Sequence, residues 1–429
     1  MNSMKTMPLD LELIRQQFPA LALMDKGCPR IYFDNPGGTQ VPQQMLDRMN
    51  HSLVHANANH GGAFRTSVDS DAILDDAHLG MADLLNAPSA DEIVFGSNMT
   101  TLTFSVSRAI GRRLQKGDAL LLTRMDHDGN IGPWLKLAED LDLTVRWLEF
   151  DPESYEYRME DLDGLLSSGD VKLAAINYAS NCTGTINDVK TITQKVQASG
   201  GLVYVDAVQY VPHGPTDVQD LGCDFLVCSP YKFFGPHQGV LWGRLELLNQ
   251  LEAYKVRPAD EVAPGNFETG TQSHEGQAAT LGTIDYLAWL GATMGTEFQS
   301  DFPRFSGRRL QLHAAMQAMQ QYEQELSSRL ITGLQRFPGV VVRGLTAPAD
   351  MDRRVPTVSF TAENQAPQKI AEALALQNIF VWDGHNYAVE AVRTMGLADK
   401  GGVVRVGPVH YNTVTEIDQL LNALEAILD

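Results

Sequence analysis

Asp206 and Lys232 stand at the ends of two apolar runs, an arrangement suited to a small set of chemistries. Val203 to Val205 is a β-branched and aromatic run that ends at Asp206. Asp224 to Cys228 repeats the pattern, and Ser229, Pro230, Tyr231 and Lys232 follow as a loop. Continuous apolar runs of this kind read as buried parallel strands, and open α/β sheets bind ligands beyond the carboxyl ends of their strands. Asp206 and Lys232 therefore face one pocket in this reading, with two possible meanings. One is a salt bridge at a sheet edge. The other is a pyridoxal phosphate site, in which a lysine amine captures the aldehyde and a carboxylate keeps the ring nitrogen protonated. A third stretch, Glu92 to Phe95 followed by Asn98, Met99, Thr100 and a helix from about Leu102, is either a plain helix cap or a helix N-terminus that binds phosphate.

The elements that must position these residues follow from the rest of the chain. From Ala119 the pattern alternates: strands at LLLTR, TVRWLEF and VKLAAINYAS, with helices over Trp134 to Asp142 and Asp188 to Ser199. This βαβα order implies an α/β domain with a mostly parallel sheet covered by helices. Val240 to Trp242 adds a strand, Val262 to Gly276 turns polar and glycine-rich, and Ala278 to Met294 returns to helix. A long helical pattern over Pro303 to Phe337 precedes mixed elements: strands at 340–343, 357–360, 380–382 and 403–406, and helices at 366–377 and from 413. The expected division is an N-terminal segment, residues 1–34, packing with the small domain, a large domain over 35–295, and a smaller α+β domain over 296–429.

Bulk properties narrow the function classes. The chain has 429 residues, a hydrophobic share of 44% and a net charge of -20, which argues against a general basic field for nucleic acid or anionic membrane. No run approaches the roughly 20 apolar residues of a membrane span. The N-terminal stretch reads as neither a secretory signal nor a transit peptide. The four cysteines have no zinc-type spacing. No metal is expected, and a reducing, cytoplasmic setting is.

Five ordered segments, VYVDAVQ, SPYK, SNCTGT, DHDGNIGPW and VVRVGPVHYNT, resemble the class V aminotransferase family of fold-type I pyridoxal phosphate enzymes, and within it the cysteine desulfurase and selenocysteine lyase branch. The resemblance implies a seven-stranded-type sheet in the large domain and a set of roles. Lys232 would hold the cofactor as a Schiff base and move the α-proton, Asp206 would pair with the pyridinium, and His127 would stack on the ring. Gln209 would reach the phenolic oxygen, and Asn181 that oxygen or the substrate carboxylate. Thr100, Ser229 and Tyr231, with the turn at Asn98 and Met99, would bind the phosphate. Arg405 would clamp an amino acid carboxylate. The family's active site lies at a homodimer interface, so FETGTQ would bring Thr271 to the partner's phosphate.

The chain also departs from that pattern. Desulfurases carry a nucleophilic cysteine on a loop that here reads VWDGHNYAVEA, with Tyr387 in its place and Trp382 where an arginine is usual; Met99 replaces a phosphate-turn threonine. Tyrosine cannot become a persulfide. The resemblance then implies a small amino acid substrate and C–S or β-lyase-type or aminotransferase chemistry, with Tyr387 or His385 protonating a leaving group. An amino acid epimerase and a catalytically degenerate cofactor-binding homologue are the alternatives.

Overall fold

A computed structural model describes residues 9–428, and its largest sheet has seven strands. In chain order they are β1 (Ile93–Gly96), β2 (Ala119–Thr123), β3 (Thr144–Leu148), β4 (Val171–Asn177), β5 (Leu202–Asp206), β6 (Phe225–Cys228) and β7 (Gly239–Gly243). The spatial order is β1-β7-β6-β5-β4-β2-β3. Strands β2 to β6 run parallel, and β7 lies antiparallel between β1 and β6. The reversal has a local cause: the link from β6 to β7 is too short to hold the crossover helix that a parallel return needs. That link carries Lys232.

Alternate side chains of these strands enter two different cores. Val94, Leu120, Leu122, Leu173, Tyr204 and Leu241 belong to one, while Phe95, Leu121, Ala174, Val203, Val205 and Val240 belong to the other. Both faces are thus covered, and for that reason the strands read as unbroken apolar runs. Helix His274–Thr293 is buried along most of its length between helices Gln43–His55 and Gly307–Leu334, which accounts for its lack of a polar face.

Four further strands, β8 (Val340–Arg343), β9 (Val358–Ala362), β10 (Trp382–Gly384) and β11 (Val403–Val406), form an antiparallel sheet in the order β8-β9-β11-β10. The single strand expected over 380–382 is in fact two. Ile379–Phe380 pairs in parallel with Ile31–Tyr32 from the start of the chain, whereas Trp382–Gly384 joins the antiparallel sheet. Both pairings are long-range, and no local pattern marks the break at Val381. Among the described residues no helix is long and apolar enough to cross a membrane.

One close approach ties the sheet to the candidate phosphate turn. A Cβ on Gly239, the first residue of β7, would sit 2.3 Å from the carbonyl carbon of Asn98 and 2.6 Å from the amide nitrogen of Met99. Gly239→Ala must therefore displace the turn. We expect a loss of about 1–3 kcal/mol in stability, as for overpacking elsewhere, together with weaker binding of inorganic phosphate; an unchanged melting temperature and phosphate affinity would refute this.

Candidate active site

The carboxyl ends of β4 and β5 open on a cavity of about 580 Å³. Asp206 closes β5, is 5% exposed, and its Oδ1 accepts the N–H of Val208 at 2.9 Å. Burial raises its acid to about 6, against the opposing influence of that N–H and of the Lys232 charge. Lys232 enters from the loop after β6. Its Nζ donates to the carbonyl of Pro36 and lies 4.6 Å over the ring of Tyr231. Removal from water, reinforced by the charge of Arg405, brings its ammonium down to about 7, although Asp34 and Asp206 pull the other way.

Arg405 reaches the cavity from β11. Its Nη2 donates to Asp34 Oδ1 at 3.3 Å and its Nη1 to the carbonyl of Asn181 at 3.3 Å. Its Nε is buried with no partner in the protein, as are Oδ1 of Asn181 and Oδ1 of Asn386. Buried polar atoms are seldom left unpaired without cause, and all three belong to residues that line the cavity.

His127 accepts the N–H of Gly129 on Nδ1 at 2.9 Å. Desolvation, then the charges of Lys232 and Arg405, lower its acid to about 3, so the ring is neutral. Tyr387 stacks on it with ring centroids 5.4 Å apart and planes at 22°. The Tyr387 loop is held by two backbone contacts: its carbonyl accepts from Asp128 N–H at 2.7 Å, and the Asn386 carbonyl accepts from Asn181 Nδ2 at 2.8 Å. Asn386 and Tyr387 have φ of 52° and 58°, a left-handed conformation that costs a non-glycine residue about 1 kcal/mol or more and persists where contacts impose it.

The opposite wall is a helix start. Helix Met99–Gly111 is capped by Asn98, whose Oδ1 accepts Thr101 N–H at 2.8 Å. The first-turn amides of such a helix have no intrahelical acceptor and favour an anion. Thr100, Ser229 and Tyr231 line the same cavity as Lys232.

The cavity therefore gathers Lys232, Asp206, Gln209, His127, Asn181 and Arg405, with Asn98, Met99, Thr100, Ser229, Tyr231 and Tyr387. It leaves out one residue expected there. His385 does not line it; its Nδ1 accepts the N–H of Tyr387 at 3.0 Å, and its ring meets that of Tyr387 edge-on with centroids 6.0 Å apart. Thr271, expected at the partner's phosphate, is exposed and lies outside the cavity of this chain. Sequence reasoning missed Asp34, Asn177 and Asn386, which also line it. Asp34 had a signal in the Asp34 to Gly38 turn, whose paired glycines suit a close backbone approach, but its pairing with Arg405 spans 371 positions.

This set fits pyridoxal phosphate. It offers an amine of lowered basicity, a buried carboxylate, a helix N-terminus for the phosphate, and an arginine with an unpaired nitrogen for a carboxylate. The comparisons agree. Residues 31–420 match the profile described as Aminotransferase class-V. The chain is 35% identical to an aminotransferase-like protein, FGM3, of Gibberella zeae, over 99% of this chain and 100% of that one. It is 31% identical to a probable cysteine desulfurase of Mycobacterium leprae, over 98% of this chain and 97% of the other. The fold is similar to that of a cysteine desulfurase from Thermococcus onnurineus, with a TM-score of 0.85, 24% identity and 99% of each chain covered. The chain belongs to the class V aminotransferase family. Its architecture is that of the fold-type I enzymes, and it is a pyridoxal phosphate-dependent enzyme.

Only a neutral amine attacks an aldehyde. With Lys232 brought down to about 7, cofactor capture by the apoprotein should rise as pH increases through about 7, rather than near the ordinary lysine value of about 10.4. Stopped-flow absorbance on adding pyridoxal phosphate measures this, and a midpoint above pH 9 would contradict the assignment.

Proposed function

We propose that the enzyme acts on a small amino acid by C–S or β-lyase-type chemistry that uses no cysteine nucleophile of its own. The observation that supports this best is Tyr387, docked on His127 at the mouth of the cavity, while none of the four cysteines, all among the described residues, lines it. Burial pushes the thiol of Cys182 up to about 11, which keeps it protonated and a poor nucleophile. When bound, the cofactor supplies an aldehyde for covalent capture and a sink for the electrons of the α-carbon.

The chain's own residues divide the remaining work. Lys232 holds the cofactor and takes the α-proton, which its lowered basicity suits near neutral pH. Asp206 pairs with the ring nitrogen, Gln209 and Asn181 meet the polar edge of the ring, and neutral His127 covers its face without adding charge. The first turn at Asn98 to Thr100, with Ser229 and Tyr231, receives the phosphate. Arg405 binds the substrate carboxylate. The hydroxyl of Tyr387, a residue 65% exposed, donates a proton to the departing group. Transamination is the second reading, favoured by the kinship with a protein described as aminotransferase-like.

A homodimer with a shared site is part of the proposal. Thr271 is exposed beside a segment anchored by His274, whose Nδ1 meets the carbonyl of Ala58 at 3.1 Å, and Val54, Phe64 and Val68, on either side of Ala58 in sequence, are exposed. Exposed apolar side chains of this kind are what an interface covers.

The test is a screen of amino acids against the loaded enzyme with separate detection of sulfide, pyruvate, ammonia and keto acid. We expect sulfide, pyruvate and ammonia from a cysteine-type substrate, insensitive to thiol alkylation; alanine with protein-bound sulfur would sink the reading. Arg405→Lys keeps the charge but loses the two-pronged geometry, so amino acid affinity should fall tenfold or more, equivalent to roughly 1.5 kcal/mol or above, while cofactor loading is retained.

A further inference from the structure

Behind Gln209 lies a buried chain of groups with no part in the chemistry above. Gln209 Nε2 donates to Thr357 Oγ1 at 2.8 Å and lies 3.4 Å from His213 Nε2. On its other side His213 meets Glu323 Oε2 through Nδ1 at 2.8 Å. The second oxygen of Glu323 accepts the N–H of His410 at 3.0 Å. His213 is 5% exposed, Glu323 1% and Gln209 4%. Glu323 comes from helix Gly307–Leu334 and Thr357 from the approach to β9, so distant segments converge on one carboxamide.

With Glu323 ionised, as the adjoining His213 favours against the burial that raises its acid, the donor and acceptor count restricts this chain to two states. A carboxylate at Nδ1 requires a proton there. If His213 is neutral, its Nε2 is an acceptor and must receive an N–H from Gln209. The Gln209 NH2 group is then spent on Thr357 and His213, and its oxygen faces the cavity. If His213 is doubly protonated, Nε2 becomes a donor. Gln209 must then turn by 180°, accept from both His213 and the Thr357 hydroxyl through Oε1, and present its NH2 group to the cavity.

We infer that the Glu323–His213 pair is a positioning device whose proton selects which end of Gln209 meets the cofactor. The inference rests on the pyridoxal phosphate reading, because it is the phenolic oxygen of that cofactor, a strong acceptor, that demands the NH2 end. Loading therefore draws one proton from solvent onto His213 Nε2, and by linkage that proton favours loading to the same degree. Glu323 supplies the counter-charge. The other titratable group facing His213 is His410, from the segment after β11; burial lowers its acid to about 3, leaving it neutral, and its Nε2 is engaged by the Tyr286 hydroxyl at 2.5 Å.

The experiment reads His213 directly. In protein labelled with ¹⁵N-histidine, the His213 ring should be singly protonated in the apoprotein at pH 7.5 and doubly protonated after loading with pyridoxal 5′-phosphate. Equal protonation in both forms would overturn the inference. Glu323→Gln removes the counter-charge at constant shape, so cofactor affinity should fall about tenfold. Without the donor on its phenolic oxygen, the cofactor's visible band should also titrate about one pH unit higher. A folded, loaded Glu323→Gln with an unchanged midpoint would likewise overturn it, and the histidine spectrum of the unaltered protein decides the matter if that variant does not fold. Failure of the underlying cofactor reading looks different: borohydride treatment would then leave no cofactor attached to Lys232.

Discussion

Four charged side chains, largely withdrawn from solvent, share one cavity, and the rest of the structure is arranged around that constraint. Lys232 and Arg405 carry positive charge; Asp206 and Asp34 carry negative. Each alone would be costly to remove from water, and breaking a buried pair typically costs about 3–5 kcal/mol. Together they balance, but burial still leaves its mark: the lysine loses basicity and Asp206 gains it. Replacing buried ion pairs by well-packed apolar residues is often neutral or stabilising, so the set is better understood as chemistry than as scaffolding. An amine that is partly neutral near pH 7 beside a carboxylate that still ionises there is what an aldehyde cofactor requires.

The fold meets the constraint by bringing strand ends and loops from far apart to one edge. Asp206 and Asn177 close two neighbouring parallel strands, which register opposite each other. Lys232 hangs on the short link that reverses β7. Asp34 belongs to the N-terminal part of the chain, whose strand Ile31–Tyr32 pairs with Ile379–Phe380, and Arg405 comes from the antiparallel sheet. The same economy governs the Tyr387 loop, whose strained backbone is pinned by Asp128 and by Asn181, both near neighbours of groups already in the cavity.

Much of this is legible in the sequence. The alternation of strands and helices, the Asp206 and Lys232 strand ends and the helix start at Asn98 are local patterns, and local patterns survive in one dimension. The misses share a different character. His385 lies two positions from Tyr387, but the loop commits its Nδ1 to the backbone N–H of Tyr387 and leaves it out of the cavity lining. Asp34 reads as part of a turn, because nothing near it in sequence announces an arginine partner. The run at 380–382 reads as one strand, because the partners that divide it, Ile31–Tyr32 and β11, lie elsewhere in sequence.

The sequence by itself determined which residue types stand at the carboxyl ends of the strands, and therefore the kind of cofactor chemistry available, because burial pattern and strand period are written residue by residue. Only the tertiary structure decided which of those groups share a desolvated space. The Arg405 to Asp34 contact, the chain from Gln209 through His213 to Glu323, and the stacking of Tyr387 on His127 all join segments that no local pattern relates. Charge, basicity and amide orientation depend on such neighbours at a few ångströms, and that distance exists only once the chain has folded.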